Sequence, residues 1–143
     1  MNQKLININE LERMGAWDQA LQKLKIFIIN AGGDANNFHQ IGRLYQRLGY
    51  FDKSKKAYTI SLRIRPSQIK TINNLIVLEL DRLNGSLADA YLQKALIIKE
   101  QTEDEKALLF NSACQLRLFQ QRFEEALSFA KEQVALKPNH RSY

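Results

Sequence analysis

The sequence predicts an all-α protein of paired helices, and three observations point there. Val and Thr are sparse while Leu, Ile, Ala, Gln, Lys and Glu abound, which favours helix over sheet. Only two prolines and six glycines occur in 143 residues, which leaves room for long regular elements. The chain also repeats itself. "GAWDQALQKLKIFI" from Gly15 and "GYFDKSKKAYTISL" from Gly49 share a Gly, an aromatic two places on, an Asp directly after it and a small residue two further on, at an offset of 34.

The first helical pair is expected near 3–14 and 17–31, with Trp17, Ala20, Leu24 and Ile28 recurring along its second member. The second pair is expected near 35–48 and 51–64. Its first helix carries Phe38, Ile41, Tyr45 and Leu48, spaced 3, 4 and 3 on one face. Phe51, Ser54, Tyr58 and Leu62 then answer the first pair one period on. The third pair, near 69–83 and 86–101, continues with Ala88, Leu92, Ala95 and Leu96. The fourth, near 103–120 and 123–136, carries Phe123, Ala126, Ala130 and Val134, with Pro138 after it. Four extra residues near "KEQTEDEK" displace this last copy. They amount to about one helical turn, so they can lengthen a helix without turning its apolar face far round.

Boundary signals agree. Gly32-Gly33 after "FIIN" and Gly49 after "YQRL" sit where a helix ends in a left-handed residue. Ser86-x-x-Asp89 and Thr102-x-x-Glu105 read as capping-box starts. Gly42 lies inside a helix, where it costs about 1 kcal/mol against Ala. The cost has a reason if two helices cross there, with Phe38, Ile41, Tyr45 and Tyr58 as the seam. Ala20, Ser54, Ala88 and Ala126 are the matching small residues on the facing helices. Short gaps make sequential helices antiparallel, and each pair exposes an apolar face that the next pair covers.

These residues resemble the tetratricopeptide repeat family. Its 34-residue unit has aromatic-x2-Leu-Gly-x2-Tyr in the first helix and Ala-x3-Phe, then Pro, in the second. Phe38, Ile41, Gly42, Tyr45, Ser54, Tyr58 and Pro66 stand at those spacings. The resemblance covers nearly the whole chain as one domain over 1–143, with repeats at about 1–34, 35–68, 69–102 and 107–140, and 141–143 as the start of a further one. It implies a right-handed α-solenoid of four helix–turn–helix repeats and about eight antiparallel helices. Ile76 and Glu79 in the third repeat, and Cys114 and Arg117 in the fourth, depart from the small and aromatic positions.

By the same resemblance, the first helices line a concave groove that binds an extended peptide or a partner helix. Here its lining would be Asn9, Asn36, His39, Gln40, Arg43, Gln46, Lys70, Asn73, Asn74, Val77, Asn111 and Gln115. Amide side chains donate and accept, so they suit a peptide backbone. Arg43 and Lys70 suit a carboxylate, Arg through its bidentate fork. Plain solvent exposure accounts for the same polar residues. Some family members clamp the terminal carboxylate of chaperones, but with repeats one to three as the clamp only Asn9 and Lys70 fit, while Leu5, Gln40 and Asn74 do not. With repeats two to four only Asn74 fits, so neither frame is complete.

The function expected is therefore a non-catalytic protein-interaction module. The alternative is a scaffold or targeting segment of a larger enzyme, such as a glycosyl- or methyltransferase. The net charge of +6 points to an acidic partner, because it is concentrated: residues 35–68 alone carry seven basic and one acidic side chain. A solvated basic face is the plainer account of that excess, and a general nucleic-acid binder would spread its charge. His39 has no triad-like partners, and the glycines lack a strand–loop–helix context for phosphate. No cofactor or metal is expected, since the single Cys114 and two histidines form no zinc pattern. With no leader and no apolar run near ~20 residues, a cytoplasmic setting is expected. The apolar last helix, with Phe123, Leu127 and Val134, suggests end-to-end self-association.

Overall fold

The structure, a computed structural model, describes residues 2–136, and side chains from Ile8 onward. The expected repeat start at 141–143, and Pro138, lie outside the described residues. Eight helices and no strand occur among the described residues. The chain divides into two compact units with the boundary between Pro66 and Ser67. Unit 1 holds α1 (Asn2–Arg13), α2 (Trp17–Ala31), α3 (Ala35–Leu48) and α4 (Phe51–Ile64). Unit 2 holds α5 (Ile69–Asp81), α6 (Gly85–Leu96), α7 (Glu103–Phe119) and α8 (Phe123–Ala135).

One backbone device ends the first helix of all four pairs. Gly15, Gly49, Leu83 and Gln121 have φ of +80°, +86°, +60° and +60°. They stand 34, 34 and 38 residues apart, the last step carrying the four extra residues. The amide that follows each donates to the carbonyl five residues back: Ala16 to Leu11, Tyr50 to Tyr45, Asn84 to Glu79 and Arg122 to Arg117, at 2.7–2.9 Å. This is the Schellman closure, which satisfies carbonyls a helix end leaves open. Glycine makes it without strain in the first two copies, while Leu83 and Gln121 hold the conformation against their own Cβ.

The helix starts differ more. Asp34 caps α3: its carboxylate accepts from the Asn37 amide at 2.8 Å, and Asn37 Oδ1 accepts from the Asp34 amide at 3.0 Å. Thr102 and Glu105 form the expected reciprocal cap of α7, at 3.0 and 3.1 Å. α7 runs 17 residues against 14 for α3, so the four extra residues do lengthen a helix. Two expectations are corrected. Asn84, not Ser86, caps α6, accepting from the Leu87 amide at 3.3 Å, because the turn through Leu83 brings Asn84 to the cap position. α6 ends at Leu96 rather than 101, where the Gln101 side-chain amide donates to the carbonyls of Ala95 and Ile98 and so closes the helix end. Gly32 also differs: with φ +81° and ψ 161° it is in a glycine-only extended region rather than the left-handed helical one.

Unit 1 packs Ile8 of α1, Ala20, Leu21 and Leu24 of α2, Ile41 and Leu44 of α3 and Ala57 of α4 into one core, with Leu11, Trp17, Tyr45 and Leu48 partly buried around it. Gly42 is the crossing point of α3 and α4. A Cβ there would meet the Tyr58 ring at 2.5 Å, and Tyr58 is fully buried. Two buried serines of α4 join the same contact: Ser54 Oγ donates to the Gly42 carbonyl and Ser61 Oγ to the Ala35 carbonyl, both at 2.7 Å. Unit 2 buries Ile72, Leu75, Ile76 and Leu78 of α5, Ala88, Leu92 and Ala95 of α6, Leu109, Ala113 and Leu116 of α7 and Ala126 of α8. Arg117, in the fourth repeat's aromatic position, is buried too. Its Nη1 donates to Asp89 Oδ1 at 3.1 Å and Gln120 Oε1 at 2.8 Å, and its Nε lies 2.9 Å from Glu125 Oε1.

Candidate functional site

In unit 1 the expected groove residues converge on one they did not include, Glu12. Arg43 grips its carboxylate with both arms, Nε to Oε2 at 2.6 Å and Nη2 to Oε1 at 2.9 Å. The Gln40 amide donates to Glu12 Oε1 at 3.2 Å and to Asn9 Oδ1 at 3.5 Å. So α3 reaches across to α1, and Asn9, Gln40 and Arg43 do meet. Arg43, however, is engaged by the chain's own carboxylate. Burial pushes the Glu12 carboxyl up, but the bonds from Arg43 and Gln40 and the positive field of Arg43 and Arg47 outweigh it and hold the group below the usual carboxylate range. No motif marked Glu12, though it lies on α1 one turn beyond Asn9 (i, i+3), where a helix presents both to the same neighbour.

Around this pair lies a depression of about 460 Å³ lined by Asn9, Glu12, Arg13, Arg43 and Arg47. Arg47 lies over the Trp17 ring, 5.5 Å from its centre. Lys53 sits 5.4 Å from the Tyr50 ring centre and 5.8 Å from that of Tyr45, and Lys25 5.5 Å from Tyr45. Part of the second repeat's basic excess is thus spent on aromatic faces.

His39 and Gln46, expected on the open side of α3, lie instead against Tyr58. The His39 and Tyr58 ring centres are 5.6 Å apart, and the Tyr58 hydroxyl donates to Gln46 Oε1 at 2.8 Å. The reason is that α3 packs on two sides. Ile41 and Leu44 enter the unit 1 core while Gly42 meets α4, and His39 and Gln46, three residues before Gly42 and four after it, are drawn into that contact. Asn36 is exposed on α3.

In unit 2, Lys70 of α5 and Asn111 and Gln115 of α7 are exposed, and Asn74 and Val77 are half-buried. Asn73 is a correction: expected in the lining, it is buried at 3% exposure, so its amide does not face a ligand. It shares α5 with buried residues nearly all round, Ile69, Thr71, Ile72, Leu75 and Ile76 among them, which leaves that helix a narrow open face. Cys114 is half-buried. Among the described residues no group of three His, Cys, Asp or Glu side chains is placed to hold a metal ion, and no helix is long and apolar enough to cross a membrane.

Comparison with known proteins bears on the fold. Residues 35–68 match the family model of the tetratricopeptide repeat. No curated protein matches the chain. Among solved structures it is similar to PilW, a widely conserved type IV pilus biogenesis factor, with a TM-score of 0.80 and 21% identity over 94% of this chain and 60% of that one. It is also similar to TTC0263, a thermophilic tetratricopeptide protein of Thermus thermophilus, with a TM-score of 0.75 and 18% identity over 92% and 71% of the two chains. PcrH, solved in complex with the chaperone binding region of PopD, gives a TM-score of 0.73 and 16% identity over 85% and 91%. Residues 35–68 are a tetratricopeptide repeat, and the chain has the fold of the tetratricopeptide repeat proteins.

Proposed function

We propose that this chain is a non-catalytic binding module, acting in the cytoplasm, whose first helices hold a peptide or protein segment. The observation that carries the reading is the depression between α1 and α3, a polar concavity with an ordered floor at Glu12, Arg43 and Gln40. The exposed amides Asn36, Asn111 and Gln115 and the ammonium of Lys70 belong to first helices as well. PcrH, of similar fold, is a protein that holds a segment of another. A photo-crosslinking residue at Asn36 or Asn111 should capture the partner, while one at Gln22 or Gln93, exposed on second helices, should not. Capture from the second helices alone would overturn the reading.

A second copy of the chain is the partner proposed for α8. Phe123, Leu127 and Val134 are 65%, 56% and 77% exposed along one stripe of that helix. Glu124 and Lys131 flank the stripe on the same side, seven residues apart. An antiparallel pairing of two α8 helices therefore sets each Glu124 against the other copy's Lys131. Sedimentation should show a dimer that Leu127→Glu dissociates. A monomer at every concentration would refute it.

A further inference from the structure

We infer that the α1–α3 depression of unit 1 is a receptor for two carboxylates of an extended acidic peptide, with Arg13 and Arg47 as the reading residues and Arg43 as part of the floor. This deepens the binding-module reading and rests on it.

The lining holds three guanidinium groups and one carboxylate, a formal charge of +2. That carboxylate is fully used. Both Glu12 oxygens are bound by Arg43, and one also accepts from Gln40. The site therefore already shows what it accommodates, a planar carboxylate gripped by a guanidinium fork. Arg43 is spent on it, whereas no acidic side chain among the described residues pairs with Arg13 or Arg47.

Those two arginines are equivalent. They stand 34 residues apart, each in the last turn of the first helix of its repeat. Arg47 is propped on the face of Trp17, which limits the freedom its guanidinium loses on pairing. Gln40 and Arg43 of α3 reach Asn9 and Glu12 of α1 through their side chains. Both guanidinium groups line the same depression, and alternate side chains of an extended strand point the same way, so acidic residues at i and i+2 present two carboxylates to it on one face. The Glu12–Arg43 pair belongs to the same lining, and Arg43, gripping Glu12 with both arms, has no fork left to offer.

Carboxylate is favoured over a nucleic-acid phosphate because the depression already binds one in bidentate fashion and offers no open aromatic face for a base. Trp17 is half-buried beneath Arg47.

The full chain labelled with 15N-arginine would be titrated with a blocked peptide of about ten residues carrying Glu at two alternate positions. The same peptide with Gln for Glu, and an oligothymidylate of similar length, serve as the other arms. The Nε–H resonances of Arg13 and Arg47 should move and saturate with the Glu peptide alone, while that of Arg43 stays in place. Arg13→Gln or Arg47→Gln should each weaken binding about tenfold, the loss of one charge-assisted contact, with helicity by circular dichroism unchanged. No movement at Arg13 and Arg47, equal movement with the Gln peptide, tighter binding of the oligothymidylate, or release of Arg43 from Glu12 would each overturn the proposal. If the Arg13→Gln, Arg47→Gln double variant still cross-links its partner from Asn36, the acidic reading falls while the binding module stands.

Discussion

The four equivalent turns make an internal experiment on backbone strain. Leu83 and Gln121 hold φ of +60° where Gly15 and Gly49 hold +80° and +86°. A side chain in left-handed conformation costs roughly 1–2 kcal/mol. Replacing it with Gly gives back about 0.4–1 kcal/mol through the greater freedom of the unfolded chain. Leu83 is 72% exposed and Gln121 is exposed, so little packing is lost. Leu83→Gly and Gln121→Gly should therefore each stabilise unit 2 by about 0.5–1 kcal/mol. The reverse change isolates the backbone term, because nothing lies within 4 Å of a Cβ built at Gly15 or Gly49. Gly49→Ala should destabilise unit 1 by about 1 kcal/mol with no steric contribution. Urea denaturation followed by circular dichroism reads both, as midpoint shifts at constant slope. Leu83→Gly lowering the midpoint, or Gly49→Ala raising it, would refute the reasoning.

Gly42→Ala gains about 1 kcal/mol of helix propensity but drives a methyl into the buried Tyr58 ring, an overpacking cost of about 1–3 kcal/mol. Because Tyr58 is held by Gln46 and faces His39, a net loss should appear as a lower urea midpoint. Glu12 holds its proton less tightly in the folded protein than in the unfolded chain. The stability it contributes is thus complete above the ordinary carboxylate range and is lost as pH falls below it. Urea midpoints between pH 7 and pH 3 should show this acid-side loss in wild type and a shallower one in Glu12→Gln. Arg117→Ala removes the cation shared by Asp89 and Glu125, and should cost about 2–3 kcal/mol, below the range for fully buried pairs because both acids retain water. A loss under ~0.5 kcal/mol in calorimetry would mean the cluster is only a solvated surface pair.

The period was legible because it is written in backbone needs: a left-handed turn, a small residue at a crossing, an aromatic beneath it. Where glycine was lost, at Leu83 and Gln121, the spacing still located the turn, since tertiary packing enforces it. Side-chain engagement was less legible. A 3.6-residue period separates one buried stripe from one open face, but α3 packs on two sides, and so His39 and Gln46 were drawn into the contact with Tyr58. Arg43 was singled out as a binder of a partner's carboxylate, and in the structure it grips a carboxylate of its own chain. Its carboxylate, though, comes from Glu12, 31 positions away in the sequence, and local pattern carries no signal for such a pairing. Asn73 was placed in the lining by the family resemblance, whereas α5 is enclosed nearly all round and buries it.

The buried guanidinium of Arg117 limits how freely the repeats can be rearranged. Consensus arrays treat each copy as an interchangeable brick, joined by generic apolar faces. α7 is not such a brick, because its charge is answered by Asp89 on the helix before it and Glu125 on the helix after it. Transplanted into another array, it would carry a cation away from both anions. Replaced by a helix with Tyr in that position, it would leave two carboxylates facing a ring. Duplication, deletion or shuffling of the last repeats is therefore tolerated only when all three helices travel together.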